Sequence, residues 1–232
     1  PKDVRGKSRV DDRRVISGII HVIESGCRWC DCPPEYGPPT TIYNRFVRWA
    51  ERGVWERLFR GLAERSRSTE TQMVDSTHIK AHRSASGGKG GSRPQAIGRS
   101  RGGRNTKIHA VADAKGRLLS ILLTGGEAHD CPLAEVVIRG ASSAKKLLGD
   151  KAYDSAPLRH WLDERGTKAV IPSKCNRKQP FTFNKKAYRL CHRVENAFCR
   201  FKDFRRNATR YDRLARNFMV SVCLIAAIVW WI

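Results

Sequence analysis

Apolar residues recur at Val15, Ile16, Ile19, Ile20 and Ile23, a three-and-four spacing that lines one face of a helix, and Asp11 or Asp12 stands where its N-cap belongs. The segment CPPEYGPP breaks that pattern. Thr40 or Thr41 then caps a second helix, TIYNRFVRWAERG, which Gly53 closes, and VWERLFRGLAE follows as a third. Residues 11–63 therefore read as a small all-α unit. With Tyr43, Asn44, Arg45 and Arg48 on its middle element it has the outline of a helix-turn-helix reader of DNA, and equally that of a structural cap on the domain that follows.

After a polar hinge, RSRSTE, the period changes from helical to alternating. TQMVDSTHIKAH is a first strand, and RNTKIHAVADAKGRLLSILLTGG is two more joined at the glycine-containing turn DAKG. CPLAEVVIRGA has helical spacing, KKLLGD is a short strand, APLRHWLDERG is a helix ending at Gly166, and KAVIPS is another strand. Two helices, near 184–204 and 213–231, close the chain. Three antiparallel strands followed by alternating helices and strands predict an α/β fold, a mixed sheet flanked by helices. The boundary falls at the hinge, with an all-α domain over residues 1–66 and a sheet domain over 67–232. Between the first two strands, residues 83–105 are rich in Gly, Ser and Arg, which predicts a flexible basic loop that orders on nucleic acid. It is not a phosphate-cradling loop, because it lacks the GxxxxGK motif and no helix directly follows its glycines.

Charge sharpens this picture. Forty-five Lys and Arg against 22 Asp and Glu leave a formal charge of +23, spread along the chain with aromatics between the cations. That excess goes beyond the needs of solubility and fits a partner with a phosphate backbone. Eight cysteines in 232 residues do not make a small secreted disulfide scaffold, and no signal peptide precedes them, so a reducing cytosol is expected. His21, Cys27, Cys30 and Cys32 can be drawn as a zinc set, but no second CxxC or HxxxH pair supports it. The apolar tail FMVSVCLIAAIVWWI is shorter than the roughly 20 residues that span a bilayer, and is expected to be a buried helix. The chain opens on Pro1 rather than Met, which leaves room for residues ahead of it.

Acids at the ends of apolar runs are out of place in so basic a chain. Asp75 closes TQMVD and Asp150 closes KKLLGD, so two strand ends of one sheet each deliver a carboxylate. Glu195 borders the apolar stripe Ala187, Leu190, Val194, Ala197, Phe198 and Phe201, and Tyr188, Cys191 or His192, Glu195, Cys199 and Lys202 stack along one line of that helix. Three converging carboxylates repel one another unless a cation sits among them, and oxygen ligands favour Mg²⁺ or Mn²⁺. Two such ions about 3.5–4 Å apart can activate a water or a 3′-hydroxyl and stabilise the leaving oxygen of a phosphodiester. Asp154, just behind Asp150, is an alternative ligand. Taken singly, each acid also reads as a solvated turn residue.

MVDSTHIKAHR, GRNTKIHAVAD, LLGDKAYDS and RVENAFCRFKDFRRNATRYDR together resemble the DDE transposases of bacterial insertion sequences, in the group of insertion sequence five within the wider insertion-sequence-four-like superfamily. VDDRRVISGIIHVIESG and YNRFVRWAERGVWERL extend the resemblance over nearly the whole chain. It implies a ribonuclease-H-like catalytic domain, a triad of Asp75, Asp150 and Glu195 working with two Mg²⁺ or Mn²⁺ ions, and movement of an element bounded by inverted repeats. Asp75 and Asp150 would be paired metal ligands, Glu195 the ligand to the second ion, and Tyr188 and Lys202 contacts to flanking phosphates. Arg45, Arg48, Lys80, Arg83, Arg104, Lys107, Lys151, Arg193 and Arg205 are the further DNA contacts expected. The implied partners are DNA, as terminal repeats and target, and a second copy of the chain in a synaptic homodimer. The implied location is the bacterial cytoplasm at the nucleoid, with no membrane.

The family's signature runs Tyr, two residues, Arg, three residues, Glu, six residues, Lys. Tyr188, Glu195 and Lys202 fall on it, but Cys191 stands at the arginine position, where a thiol cannot make the bidentate phosphate contact of a guanidinium. His192 or Arg193 is the nearest substitute, although Arg193 points elsewhere on the helix. WCDCP likewise places Cys30 where an arginine usually follows the tryptophan. These departures raise an alternative, a catalytically impaired or truncated remnant that only binds DNA. A nuclease of the same fold, with no need to recognise repeats, is a third reading.

Overall fold

The computed structural model describes residues 10–65, 69–92 and 94–232, so the first residues of the expected helical domain and the middle of the hinge lie outside the described residues. Helix α1 (Asp12–Ser25) begins where the Asp11 carboxylate accepts the Arg14 amide at 3.3 Å, and ends at Gly26, whose φ of 76° lets its N–H reach the Val22 carbonyl. Two single 3-10 turns, Trp29–Asp31 and Pro34–Tyr36, carry the chain to α2 (Pro39–Glu51). Neither Thr40 nor Thr41 caps α2. Pro38 and Pro39 start it instead, since a missing N–H and a fixed φ suit the first helical position. Only Arg52 and Gly53 separate α2 from α3 (Val54–Glu64), and the glycine takes φ 60°.

The sheet follows. Its strands are β1 (Thr71–Ala81), β2 (Gly98–Ser100), β3 (Gly103–Asp113) and β4 (Leu118–Gly125). Helix α4 (Asp130–Arg139) leads to β5 (Lys146–Leu148), and α5 (Ala156–Glu164) leads to β6 (Lys168–Val170). The chain ends with α6 (Lys185–Tyr188), α7 (His192–Lys202), α8 (Arg205–Ala208), β7 (Thr209–Arg210) and α9 (Ala215–Trp230). The single helix expected over 184–204 is divided by a 3-10 turn at Arg189–Cys191, which separates α6 from α7.

Strand β1 is the centre of the sheet. It runs antiparallel to β3, which in turn pairs antiparallel with β4, and parallel to β5, which pairs parallel with β6. The β3–β4 turn forms at DAKG as expected: the Asp113 carboxylate accepts the amides of Lys115 and Arg117 at 2.8 and 3.0 Å, and Gly116 takes φ 82°. On its other edge β1 meets β5 at residues 71–73 and β7 at residues 80–81. Between those two pairings no strand among the described residues covers that edge, and helix α7 packs against β1 on the face of Met73 and Ile79.

The described residues of 83–105 are more ordered than a free linker. They contain a 3-10 turn at Arg83–Ala85 and strand β2, and Ala85, Ala96 and Ile97 are buried. Arg210 holds this segment down. Its fully buried guanidinium donates to the Ala96 carbonyl at 3.2 Å and to Thr106 Oγ1 at 2.7 Å, and it lies over the Phe218 ring.

One apolar cluster unites Val15, Ile19, Phe46, Trp55 and Phe59 of the N-terminal helices with Met73, Ile108 and Leu148 of the sheet and with Phe201 and Phe218. Helix α9 is apolar all round because α2 and α3, α7 and β4 each pack against it. It is the buried helix that the apolar tail predicted, and no helix among the described residues is long and apolar enough to cross a membrane. A second cluster on the opposite sheet face joins Val74, Val111 and Leu147 to α4 and α5. Because α9 belongs to both the helical unit and the sheet, Phe218→Ala is expected to cost about 3–5 kcal/mol. Hydrogen exchange should then show protection falling together in α1–α3 and in β1 and β3. Protection retained in the N-terminal helices alone would mean that they carry a core of their own.

Candidate active site

Strand alternation sets the site. Met73 and Ile79 face the larger apolar cluster and Val74 faces the other, so Asp75, opposite Ala110 on β3, faces the side where α7 lies. Met73 pairs with Leu148 across the parallel β1–β5 ladder. Asp150 stands two residues past Leu148, just beyond β5, as Asp75 stands two past Met73, so the two acids lie at one level; Asp75 is not at a strand end, as its apolar run suggested, but in the middle of β1, whose ladder with β3 continues through polar residues. Gly149 keeps this approach tight, since a Cβ there would lie 3.1 Å from Val74 Cγ1. The Asp150 carboxylate accepts the Ala152 amide at 2.8 Å, capping the 3-10 turn Lys151–Tyr153.

Glu195 comes from the first turn of α7, whose buried face is Val194, Ala197, Phe198 and Phe201. The three acids sense one another. Burial raises the carboxyl of Asp75, the Ser76 amide at 2.7 Å holds it partly back, and the charges of Asp150, Glu195 and Asp130 add to the rise, which reaches about 6. Cys191 belongs to the same group: burial first, then Asp75, Glu195 and Asp150, push its thiol up to about 12. It is a neutral group beside three acids. The 3-10 turn brings Cys191 rather than His192 to them, because His192 is exposed and its Nδ1 lies 2.6 Å from the Arg189 carbonyl. Half-buried Tyr188 also feels these charges, and Lys202 is exposed at the far end of α7. Among the described residues no three His, Cys, Asp or Glu side chains stand at metal-ligand spacing.

Other expected residues are placed differently. Asp154 is buried and taken up by Arg159 and Arg177, each at 2.9 Å, and by the Lys174 amide. Burial alone would raise its carboxyl, but the bonds from Arg177, Lys174 and Arg159 bring it down to about 2. It is a structural anchor, so the alternative ligand set is dropped. Arg45 is buried against Asp12 with its guanidinium over Trp49, and Lys107 is buried against Asp130. Neither presents its charge to solvent. Arg48, Lys80, Arg83, Lys151 and Arg205 are exposed, Arg104 is exposed and donates to Ser86 Oγ at 2.9 Å, and Arg193 donates to the Ala114 carbonyl.

The structure adds a polar network on the opposite face of β1. Asp130, at the start of α4, receives Lys107 Nζ at 3.1 Å and lies 3.3 Å from His109 Nδ1, while His109 Nε2 meets Thr124 Oγ1 at 2.8 Å. Burial opposes its ionisation, but hydrogen bonds from His109, Ser76 and Lys107 hold its carboxyl well below the usual range. The sequence carried a signal for it. Lys107 and His109 alternate on one face of the otherwise apolar run of β3, and buried polar groups there need an acceptor.

Residues 66–230 match the family model described as "Transposase DDE domain", and residues 1–59 match "Putative transposase of IS4/5 family". The chain belongs to the DDE transposase family, whose enzymes are polynucleotidyl transferases that use divalent metal. It is 35% identical over 127 residues to the "Putative transposase for insertion sequence element IS6501" of Brucella ovis, a match over 54% of this chain and 97% of the relative. It is 34% identical over 83 residues to the "Insertion element IS402 uncharacterized 16.2 kDa protein" of Burkholderia cepacia, covering 33% of this chain and 56% of that protein. Among solved structures it superposes on the piggyBac transposase of a synaptic complex with hairpin DNA, with a TM-score of 0.56 at 11% identity, over 98% of this chain and 67% of that one. The mixed sheet is thus of the ribonuclease-H-like kind.

A carboxyl raised on folding weakens the fold as it ionises. Without metal, stability should fall as pH rises from about 4 to 6, because the unfolded chain gives up the Asp75 proton first. Asp75→Asn should therefore add up to about 3 kcal/mol at pH 8 and nothing below pH 4, as read by urea denaturation.

Proposed function

We propose that this transposase grips the terminal inverted repeats of its element through its exposed cations, and cuts and rejoins strands at Asp75, Asp150 and Glu195. What supports the reading most is the delivery of two acids at one level by adjacent parallel strands, with a third from α7, in a chain of charge +23. Three carboxylates form a hard donor set that suits Mg²⁺ or Mn²⁺, and two ions held by Asp75 and Asp150 from the sheet and Glu195 from the helix would activate the attacking oxygen and stabilise the leaving one.

The chain's own residues supply position and grip. The Ser76 amide fixes the rotamer of Asp75, and the turn capped by Asp150 fixes that of Asp150. Tyr188 and Lys202 flank Glu195 along the same helical run and hold phosphates on either side of the cut. Lys151 beside Asp150, Lys80 and Arg83 at the end of β1, and Arg48, Arg104, Arg193 and Arg205 extend the grip. Two element ends are paired by two copies of the chain, in the bacterial cytoplasm at the nucleoid.

Incubation with labelled duplex carrying the element's own terminal repeats, with Mg²⁺ or Mn²⁺, should give nicking at the repeat boundary. The product should vanish with chelator and in Asp150→Ala, while repeat binding persists. Cutting of unrelated duplex with equal efficiency would point to a general nuclease, and binding without nicking to a remnant.

Cys191 sets the rate of this copy. A neutral thiol beside the acids offers a phosphate neither charge nor a forked donor, so Cys191→Arg is expected to raise cleavage about ten- to a hundredfold, the worth of one charge-assisted contact. Unchanged cleavage in an active protein would remove the thiol from the account.

A further inference from the structure

Of the 3-10 turn Lys151–Tyr153 that Asp150 caps, only Tyr153 is buried, at 1% exposed. Its ring packs in the cluster of Val74 and Val111, and Gly149 makes room for it, since a Cβ there would lie 3.3 Å from Tyr153 Cδ2 and 3.1 Å from Val74 Cγ1. The hydroxyl is enclosed with the ring and has no hydrogen-bond partner among the described residues. A phenylalanine would fill the same space without stranding a polar atom, so a hydroxyl buried there calls for a use.

Its surroundings supply one. Val74 and Ser76 share a face of β1, and on that face α4 packs against both β1 and the turn. Asp130 begins α4 and is held by Lys107 Nζ and His109 Nδ1 at 3.0 and 3.3 Å. Burial, and then the charges of Asp130, Asp75 and Asp150, keep the Tyr153 hydroxyl protonated, while Ser76 pulls the other way. Ser76 acts on Asp130 as well, where against burial it joins His109 in keeping the carboxylate ionised. The Ser76 hydroxyl is therefore the polar group that Tyr153 and Asp130 have in common.

We propose that Tyr153 is a positioning residue for the cation site: its hydroxyl donates to Ser76 Oγ, whose own proton goes to Asp130, and this tie holds the turn that begins at Asp150 against the strand that carries Asp75. A phenol gives one proton, a serine hydroxyl accepts one and gives one, and a carboxylate accepts several, so the donors run in one direction and end on Asp130. Asp130 is the fixed end, because Lys107 and His109 of β3 secure it. Tyr153 is the moving end. Its amide donates to the Asp150 carbonyl at 3.1 Å, so Asp150 follows any shift of the turn. The tie is open as the structure stands and closes when Asp150 moves toward Asp75, so a cation shared by the two acids gains this bond as well. The proposal rests on the reading that Asp75 and Asp150 share a cation.

The test reads Mn²⁺ uptake by the full chain from the loss of the free ion's electron paramagnetic resonance signal, beside the thermal midpoint without metal. Tyr153→Phe should weaken Mn²⁺ binding about tenfold, the usual effect of losing a group that orients a metal ligand, and leave the metal-free midpoint unchanged. Ser76→Ala should do the same. The double variant should lose no more than either alone, because both substitutions break one tie. A metal-free midpoint that falls in Tyr153→Phe while Mn²⁺ binding stays unchanged would make the hydroxyl a structural group only and overturn the proposal. Losses that multiply in the double variant would overturn it too. Asp150→Ala separates this proposal from the reading beneath it. If Mn²⁺ uptake is absent, or persists in Asp150→Ala, the metal reading fails and takes the proposal with it. If uptake is lost in Asp150→Ala while Tyr153→Phe binds as tightly as the unaltered chain, the positioning role alone fails.

Discussion

The register of β1 is the constraint on which the rest depends. Its ladder with β3 fixes which side chains point to each face, and its short parallel pairing with β5 fixes the height of Asp150 against Asp75. A slip of one residue would turn Asp75 toward α4 and α5 and put Val74 in its place. The alternation of Met73, Val74 and Ile79 between two apolar clusters opposes that slip, since it would misplace all three at once. Packing on both faces thus guards the geometry of a polar site. On the face of Met73 and Ile79, α7 packs against the same strand and carries Glu195.

Helix α9 extends this control to the N-terminal helices. It is last in sequence yet touches α2, α3, α7 and β4, so the helical unit and the sheet share one interior. Arg206 and Arg210, just ahead of it, are buried cations used as struts: Arg206 reaches the Cys27 carbonyl, and Arg210 reaches Ala96 and Thr106. The positive charge of this chain therefore divides into two populations. One part ties segments together and is lost to DNA, and the exposed part is left to hold phosphate.

What could be read from the sequence was whatever a local period decides. An acidic cap at Asp11 or Asp12, the stripe of α1, the three long strands, the DAKG turn and the buried C-terminal helix all follow from spacing over several residues, and the structure selects Asp11. Asp75, Asp150 and Glu195 stood out as acids ending or bordering apolar runs. Strands β2 and β7 were not, because segments so short leave no alternation to detect. The break between α6 and α7 changes no hydrophobic residue, only the rotation between Tyr188 and Glu195. Arg45, Lys107 and Asp154 were misplaced for a different reason. A charged residue is internal or external according to its partner, and Asp12, Asp130, Arg159 and Arg177 are brought to them only by tertiary structure.

The two faces of β1 then show how one strand can carry opposite kinds of acid. On one face Asp130 is surrounded by Lys107, His109 and Ser76, and their bonds keep it ionised despite burial. On the other, Asp75 meets two more carboxylates and a thiol that burial keeps protonated. The protein neutralises the acid that anchors α4 to the sheet, whereas the side-chain charges that act on Asp75 are those of other acids, Asp150, Glu195 and Asp130. An ionised carboxylate whose neighbours raise its pKa has unspent affinity for an external cation, and an internally paired one has little. The same chain can therefore be strongly basic overall and still concentrate negative charge at one point, because its cations are distributed by packing and by surface while these acids are distributed by the register of two strands and a helix.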